Sequence, residues 1–195
     1  LSLVTVACTG MIYASLKPVP RWHNAWVVPI YLVFALGSGG LLMLIPLSIS
    51  ASATLATLEG MLLVVLLAWL LKWGYWRHID TRKPTSTSGT ATGLGQFGTV
   101  TQLEAPHTSD NFVLKEMGFV IARKHAVRLR KVALRMGAML PAILILLATI
   151  PTGIVQTSIL IFAAFCGLTG VLIERWLFFA EARHVVTLFY GQSRL

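Results

Sequence analysis

The chain has 195 residues, 56% of them hydrophobic and only 12% charged, with a mean hydropathy of +0.76. Soluble domains carry about 25% charged residues, so the composition excludes an ordinary soluble globular domain and points to a bilayer as solvent. The net charge of +9 does not mark a nucleic-acid binder: those proteins gather Lys and Arg on one folded soluble face, whereas here the cations stand at the ends of apolar runs.

A spanning helix needs about 20 apolar residues, and five segments meet or approach that length. They predict an all-α, polytopic transmembrane helical bundle, with one membrane domain over residues 1–195. The first span, 1–15, opens in mid-apolar run, with no initiator Met and no signal peptide. The chain therefore reads as part of a longer protein, with a segment upstream. A basic loop, Lys17 to Asn24, leads to the second span, 26–48, which carries Pro29, Pro46 and the small-residue stretch Gly37-Ser38-Gly39-Gly40. Small residues in mid-span let helices approach closely, so this stretch is expected to face the bundle.

The third span, 53–73, ends among Trp69, Trp73, Tyr75 and Trp76, an interfacial aromatic belt. Glu59 lies about 9 Å into it and reads equally as a protonated structural group, a proton-path element or an interfacial residue. A long cytoplasmic loop, 77–131, follows. Its Gly-, Ser- and Thr-rich part, Pro84 to Asn111, is expected to be an ordered or semi-ordered loop. The string NFVLKEMGFVIARKHAVRLRK places apolar Phe112, Val113, Met117, Val120 and Ile121 before a cationic end, as in an amphipathic helix lying in the interface. Spans four and five cover 132–150 and 158–179.

If the five spans alternate, the loop at Lys17 to Asn24, segment 77–131 and the C-terminus share one side. All 16 Lys and Arg fall there or in adjoining helix ends. By the positive-inside rule that side is cytoplasmic, which predicts a multi-pass membrane protein with a cytoplasmic C-terminus.

The string GLGQFG, Gly93 to Gly98, matches a dinucleotide fingerprint in letters only, because no βαβ unit fits between these spans. A loop with glycine-enabled turns is expected instead. Cys8 and Cys166 are too few for an iron–sulfur cluster or structural zinc. The histidines at 23, 78, 107, 125 and 184 sit in loops or at helix ends, so no haem is expected, and neither a metal-ligand set nor a catalytic residue is read in the chain. In ERWLFFAEARHVVTLFYG a continued helix would put Glu174, Glu181 and His184 near one face, with Arg175 displaced by about 100°. That group is either a hydrated helix end or a polar constellation at the cytoplasmic edge.

The stretches IYASLKPVPRWHN, GLGQFGTV with LEAPHTSDNF and EMGFVIARKHA, and LIERWLFFAEARHVVTLFYG together resemble the membrane anchor subunits of DMSO-reductase-type molybdoenzymes, above all those of cytoplasm-facing sulfite dehydrogenases. The resemblance implies a complex of a molybdopterin catalytic subunit, an iron–sulfur subunit and this anchor. The anchor, with no haem or iron–sulfur cluster of its own, exchanges electrons with ubiquinone or menaquinone. A cytoplasmic docking side favours sulfite oxidation with quinone reduction; a quinol-oxidising anchor and a plain membrane tether are the alternatives. Lys17, Arg21 and Trp22, in a loop stiffened by Pro18 and Pro20, are the expected docking residues. The quinone head group is expected at the cytoplasmic edge near Trp22, His23, Arg175 and His184, where the paths for electrons and protons are short. Membrane lipid is the remaining partner, and no nucleic acid is expected.

The charge asymmetry makes the topology testable. Cysteine introduced as Ser86→Cys should resist a membrane-impermeant thiol reagent applied outside intact cells and react once the membrane is opened. Strong labelling in intact cells would reverse the sidedness.

Overall fold

A computed structural model describes residues 1–82, 86–101, 103–104 and 119–190. The described elements are helical: α1 (Ser2–Ala14), α2 (Val27–Ile49), α3 (Leu55–Thr81), α4 (Ser88–Thr92), α5 (Val120–Lys124), α6 (Ala126–Leu134), α7 (Leu140–Leu147) and α8 (Ile154–Ala180), with a π-helical segment, Arg135–Met139, joining α6 to α7. Three of them, α2, α3 and α8, are long and apolar enough to cross a membrane. The five-span expectation is met in length by these three. The 13 residues of α1 reach about 20 Å at 1.5 Å per residue, short of a 30 Å hydrocarbon core. The residues expected to form the fourth span make a broken helix, in which α6, the π segment and α7 run on from one another.

α3 runs past the apolar stretch to Thr81, because its inward face continues after the outer face turns polar. Its buried residues, Leu58, Met61, Val65, Ala68, Trp69, Lys72, Tyr75, Trp76 and Ile79, recur every three or four positions, as one helical stripe requires. α8 presents Leu160, Ala163, Gly167, Gly170, Glu174 and Leu177 in the same way. Against these stripes pack α2, through Val27, Ile30, Phe34, Leu41 and Leu44, and α7, through Ile145.

Close helix approach lies mainly elsewhere than expected. Of the stretch at 37–40, Gly39 is exposed and only Gly40 is crowded, by Met61. The tight contact is between α8 and the π segment. A Cβ on Gly170 would stand 2.3 Å from the Cα and N of Gly137, and one on Gly137 would stand 1.9 Å from the Trp69 ring. The extra residue of a π turn brings Gly137 against Gly170, and small residues at both positions make that approach possible.

The long loop is helical at both ends. Residues 77–81 complete α3, and 126–131 begin α6, which runs on into the π segment and α7. The expected amphipathic positions Phe112, Val113 and Met117, the side chain of Val120, and residues 84–85, 102 and 105–111 lie outside the described residues, while 86–101 carry α4 and a 3-10 turn, Leu94–Phe97. The GLGQFG string is a turn after α4. Gly93 takes φ 73° and Gly98 φ 146°, in the left-handed region that favours glycine. Glu59 is exposed in the second turn of α3.

Gly170→Ala should overpack the contact with Gly137, where the opposing atoms are backbone and cannot rotate away. A loss of about 1–3 kcal/mol should lower the thermal midpoint of the detergent-solubilised protein, read by circular dichroism, while Gly39→Ala should leave it unchanged. Equal midpoints for the two variants would remove this contact from the packing argument.

Candidate functional site

The polar side chains gather at one end of the bundle in two tiers. In the inner tier Lys72 of α3 and Glu174 of α8 form an ion pair with relative exposures of 1% and 0%. The second carboxylate oxygen of Glu174 accepts from Nε of Arg175. One anion is thus held between two cations. Leaving any such charge alone at membrane depth costs about 2.5–3.5 kcal/mol or more, and the surroundings are built to offset that cost. The Lys72 ammonium lies 4.0 Å from the Tyr75 ring centroid and 5.5 Å from that of Phe178. The Arg175 guanidinium lies 4.4 Å from Tyr31 and 5.0 Å from Phe178. Ring faces are negative and attract both cations.

The outer tier centres on Glu181, the residue that caps the C-terminus of α8. It accepts from Arg21 of the first loop at 3.1 Å and from Nε and Nη2 of Arg130 in α6 at 2.9 and 2.7 Å. Arg130 also pairs with Asp80 near the end of α3. Burial opposes the charge on Arg130, but the hydrogen bonds and charges of Asp80 and Glu181 outweigh it and raise its pKa above the ordinary arginine value. Arg123 of α5 donates to the carbonyls of Ala180 and Ala182 at 2.8 and 2.9 Å, acceptors that the end of a helix leaves without intrahelical partners. Four separate chain segments therefore meet around the end of α8.

The first loop is folded onto this end. Trp22 donates its indole N–H to the Phe178 carbonyl at 3.0 Å and stacks on the Phe178 ring, 5.6 Å between centroids at 19°. Tyr75 donates its hydroxyl to the Arg21 carbonyl at 2.9 Å, and the Val185 N–H donates to the Pro18 carbonyl at 2.8 Å. Between the loop and the turn after α8 lies a cleft of about 590 Å³, lined by Leu16, Pro18, Val19, Trp22, Phe119, Phe179, Ala182 and His184. Its walls are mainly apolar. The Val186 N–H donates to Nδ1 of His184 at 3.0 Å, so in the neutral ring Nε2 carries the proton and is a donor.

Of the four residues expected around a quinone, Trp22 and His184 share this cleft and the other two do not line it. His23 is exposed, and its Nδ1 bonds the carbonyl of Ala14, the last residue of α1, at 2.7 Å. A carbonyl only accepts, so Nδ1 carries the proton there. Arg175 stands behind the cleft wall in the inner tier. The expected shared face of Glu174, Glu181 and His184 holds for the two carboxylates, whose seven-residue spacing keeps both buried. It fails for His184, because α8 ends at Ala180 and His184 lies in the following turn. Burial of Glu174 and Glu181 also overturns the hydrated-end alternative. Among the docking residues Lys17 is exposed, Arg21 is held by Glu181 and Trp22 is turned inward. The residue missed outright is Lys72, read from sequence as one of a basic group at the span end. Its place on the stripe Leu58, Met61, Val65, Ala68, Lys72, Tyr75 was the available signal.

No family model matches the chain, and no solved structure matches it. Among curated proteins the chain is similar to a sulfite dehydrogenase subunit of Allochromatium vinosum, with 32% identity over 191 residues, covering 97% of this chain and 57% of that protein. The chain thus spans a little over half the length of the curated relative it matches.

Glu174→Gln should leave two buried cations without their carboxylate and destabilise the protein by about 3–5 kcal/mol, whereas Lys72→Met combined with Glu174→Gln should recover much of that loss. Thermal unfolding in detergent measures both. A single variant no worse than the double would show that the pair is not coupled.

Proposed function

We propose that this chain is the membrane subunit of a sulfite-oxidising complex. It holds an iron–sulfur subunit and a molybdopterin catalytic subunit at the cytoplasmic face and passes their electrons to membrane quinone. The observation that carries the reading is the likeness, over nearly all of the chain, to a subunit of a sulfite dehydrogenase. Three helices able to cross a membrane and the gathering of cations at one end of the bundle support it.

The cleft fits a quinone head group. Its volume of about 590 Å³ falls among small-molecule sites, about 300–1,000 Å³ with mainly apolar walls and a few polar groups. A bound quinone supplies the acceptor for electrons and protons. The chain's own residues bind and orient it. The Trp22 ring, its N–H already committed to Phe178, offers a flat apolar face, and Nε2–H of His184 is a donor toward a carbonyl oxygen. The Arg21–Glu181 pair and the Tyr75 hydrogen bond fix the loop that forms one wall, and exposed Lys17 presents a cation to the docked subunit.

The complex purified through this chain should contain molybdenum and iron–sulfur protein. In membranes His184→Ala should lower sulfite-dependent reduction of a short-chain quinone about tenfold, the loss of one well-made hydrogen bond, while turnover with a soluble artificial acceptor stays at the wild-type rate. Purification without those subunits, or equal effects on both acceptors, would overturn the assignment.

A further inference from the structure

Building on the reading of the cleft as the quinone site, we propose that it favours ring ligands carrying negative charge, because one uncompensated positive charge is built into the apolar layer behind its aromatic wall.

The charge count is local. Lys72 and Arg175 share the single carboxylate of Glu174. The outer tier cannot supply the missing anion: there Arg21 and Arg130 are matched by Asp80 and Glu181. Arg123 and Arg183 at the rim are cations as well, and Glu59 is at the far end of α3. Among the described residues no tier reverses the sign.

The field has a short route to the cleft. The Phe178 ring has the Arg175 guanidinium at 5.0 Å and the Lys72 ammonium at 5.5 Å, and Trp22, which lines the cleft, stacks on that same ring at 5.6 Å. Both cations therefore lie within about 11 Å of the Trp22 ring. The intervening material is aromatic side chain, so salt and water screen the interaction far less than at a surface. At an effective dielectric constant of about 20, a unit charge at that distance changes the affinity for a unit anion roughly tenfold. A neutral ring of the same shape feels no such term. Arg175 acts here through its charge, without touching the ligand, and this separates its role from that of His184.

The test uses the intact complex in detergent at neutral pH and two ring probes of nearly equal size. One is 2-methyl-1,4-naphthoquinone, which is neutral; the other is 2-hydroxy-1,4-naphthoquinone, an acid ionised at neutral pH. Titration calorimetry gives each affinity. In the wild type the anionic ring should bind about tenfold more tightly. In Arg175→Gln, which keeps the Lys72–Glu174 pair and removes the excess charge, that preference should vanish; in Arg175→Lys it should persist. If both rings bind the wild type equally, if Arg175→Gln keeps the preference, or if Arg175→Lys loses it, the inference falls and the cleft reading stands. If neither ring binds, the cleft reading falls and takes the inference with it. Should Arg175→Gln not assemble, the wild-type ratio and Arg175→Lys decide.

Discussion

A carboxylate enclosed at membrane depth has no water to turn to, and the rest of this end of the bundle follows from how Glu174 is satisfied. Its partner Lys72 lies on α3, 17 residues after Leu55, and Glu174 lies on α8, 20 residues after Ile154. At 1.5 Å per residue the two groups sit about 26 and 30 Å along helices that start from the same, uncharged side. The ion pair therefore sets the two helices at a common height and turns a defined face of each toward the other. A slip of one residue in either helix would rotate a charge by about 100° toward lipid, so the pairing specifies the register as well as the contact.

The same helix end organises the loop that precedes α2. Seven residues beyond Glu174, two turns of helix, Glu181 returns to the inner face and meets Arg21 and Arg130. One turn before it, Phe178 offers a carbonyl and a ring to Trp22. Successive turns of one helix thus hold a buried ion cluster, an aromatic wall and an ionic clasp. The cleft lies where the clasp leaves apolar surface uncovered, between Trp22, Phe179 and His184.

Packing toward the other end is of a different kind. There the polar contacts are few, as in Ser48 of α2, which bonds both Gln156 and Thr157 of α8, while Gln156 also donates to the Ala148 carbonyl. Between the two ends the helices are joined by small residues and close backbone approach. Lipid tails are as apolar as leucine, so shape complementarity and buried polar bonds must hold such helices together. Gly137 and Gly170 supply the first, and the ion cluster supplies the second.

Composition and the period of the apolar residues determined that this chain is a helical bundle suited to a membrane, where α2, α3 and α8 run, and that its cations lie at one end. Those properties are local, because each depends on the length and polarity of a single segment. The buried stripes were legible too: Lys72 continues the spacing of Leu58, Met61, Val65 and Ala68, and Glu174 continues that of Leu160, Ala163, Gly167 and Gly170. What tertiary structure alone decided is which charges meet. Arg21 and Glu181 are separated by 160 residues, and nothing in either neighbourhood names the other as its partner. The same holds for the division of the four expected quinone residues, with Trp22 and His184 on the cleft, Arg175 behind its wall and His23 capping α1. That division depends on α8 ending at Ala180 and on the first loop folding back onto Phe178, and both are set by contacts between distant segments, where sequence spacing carries no information.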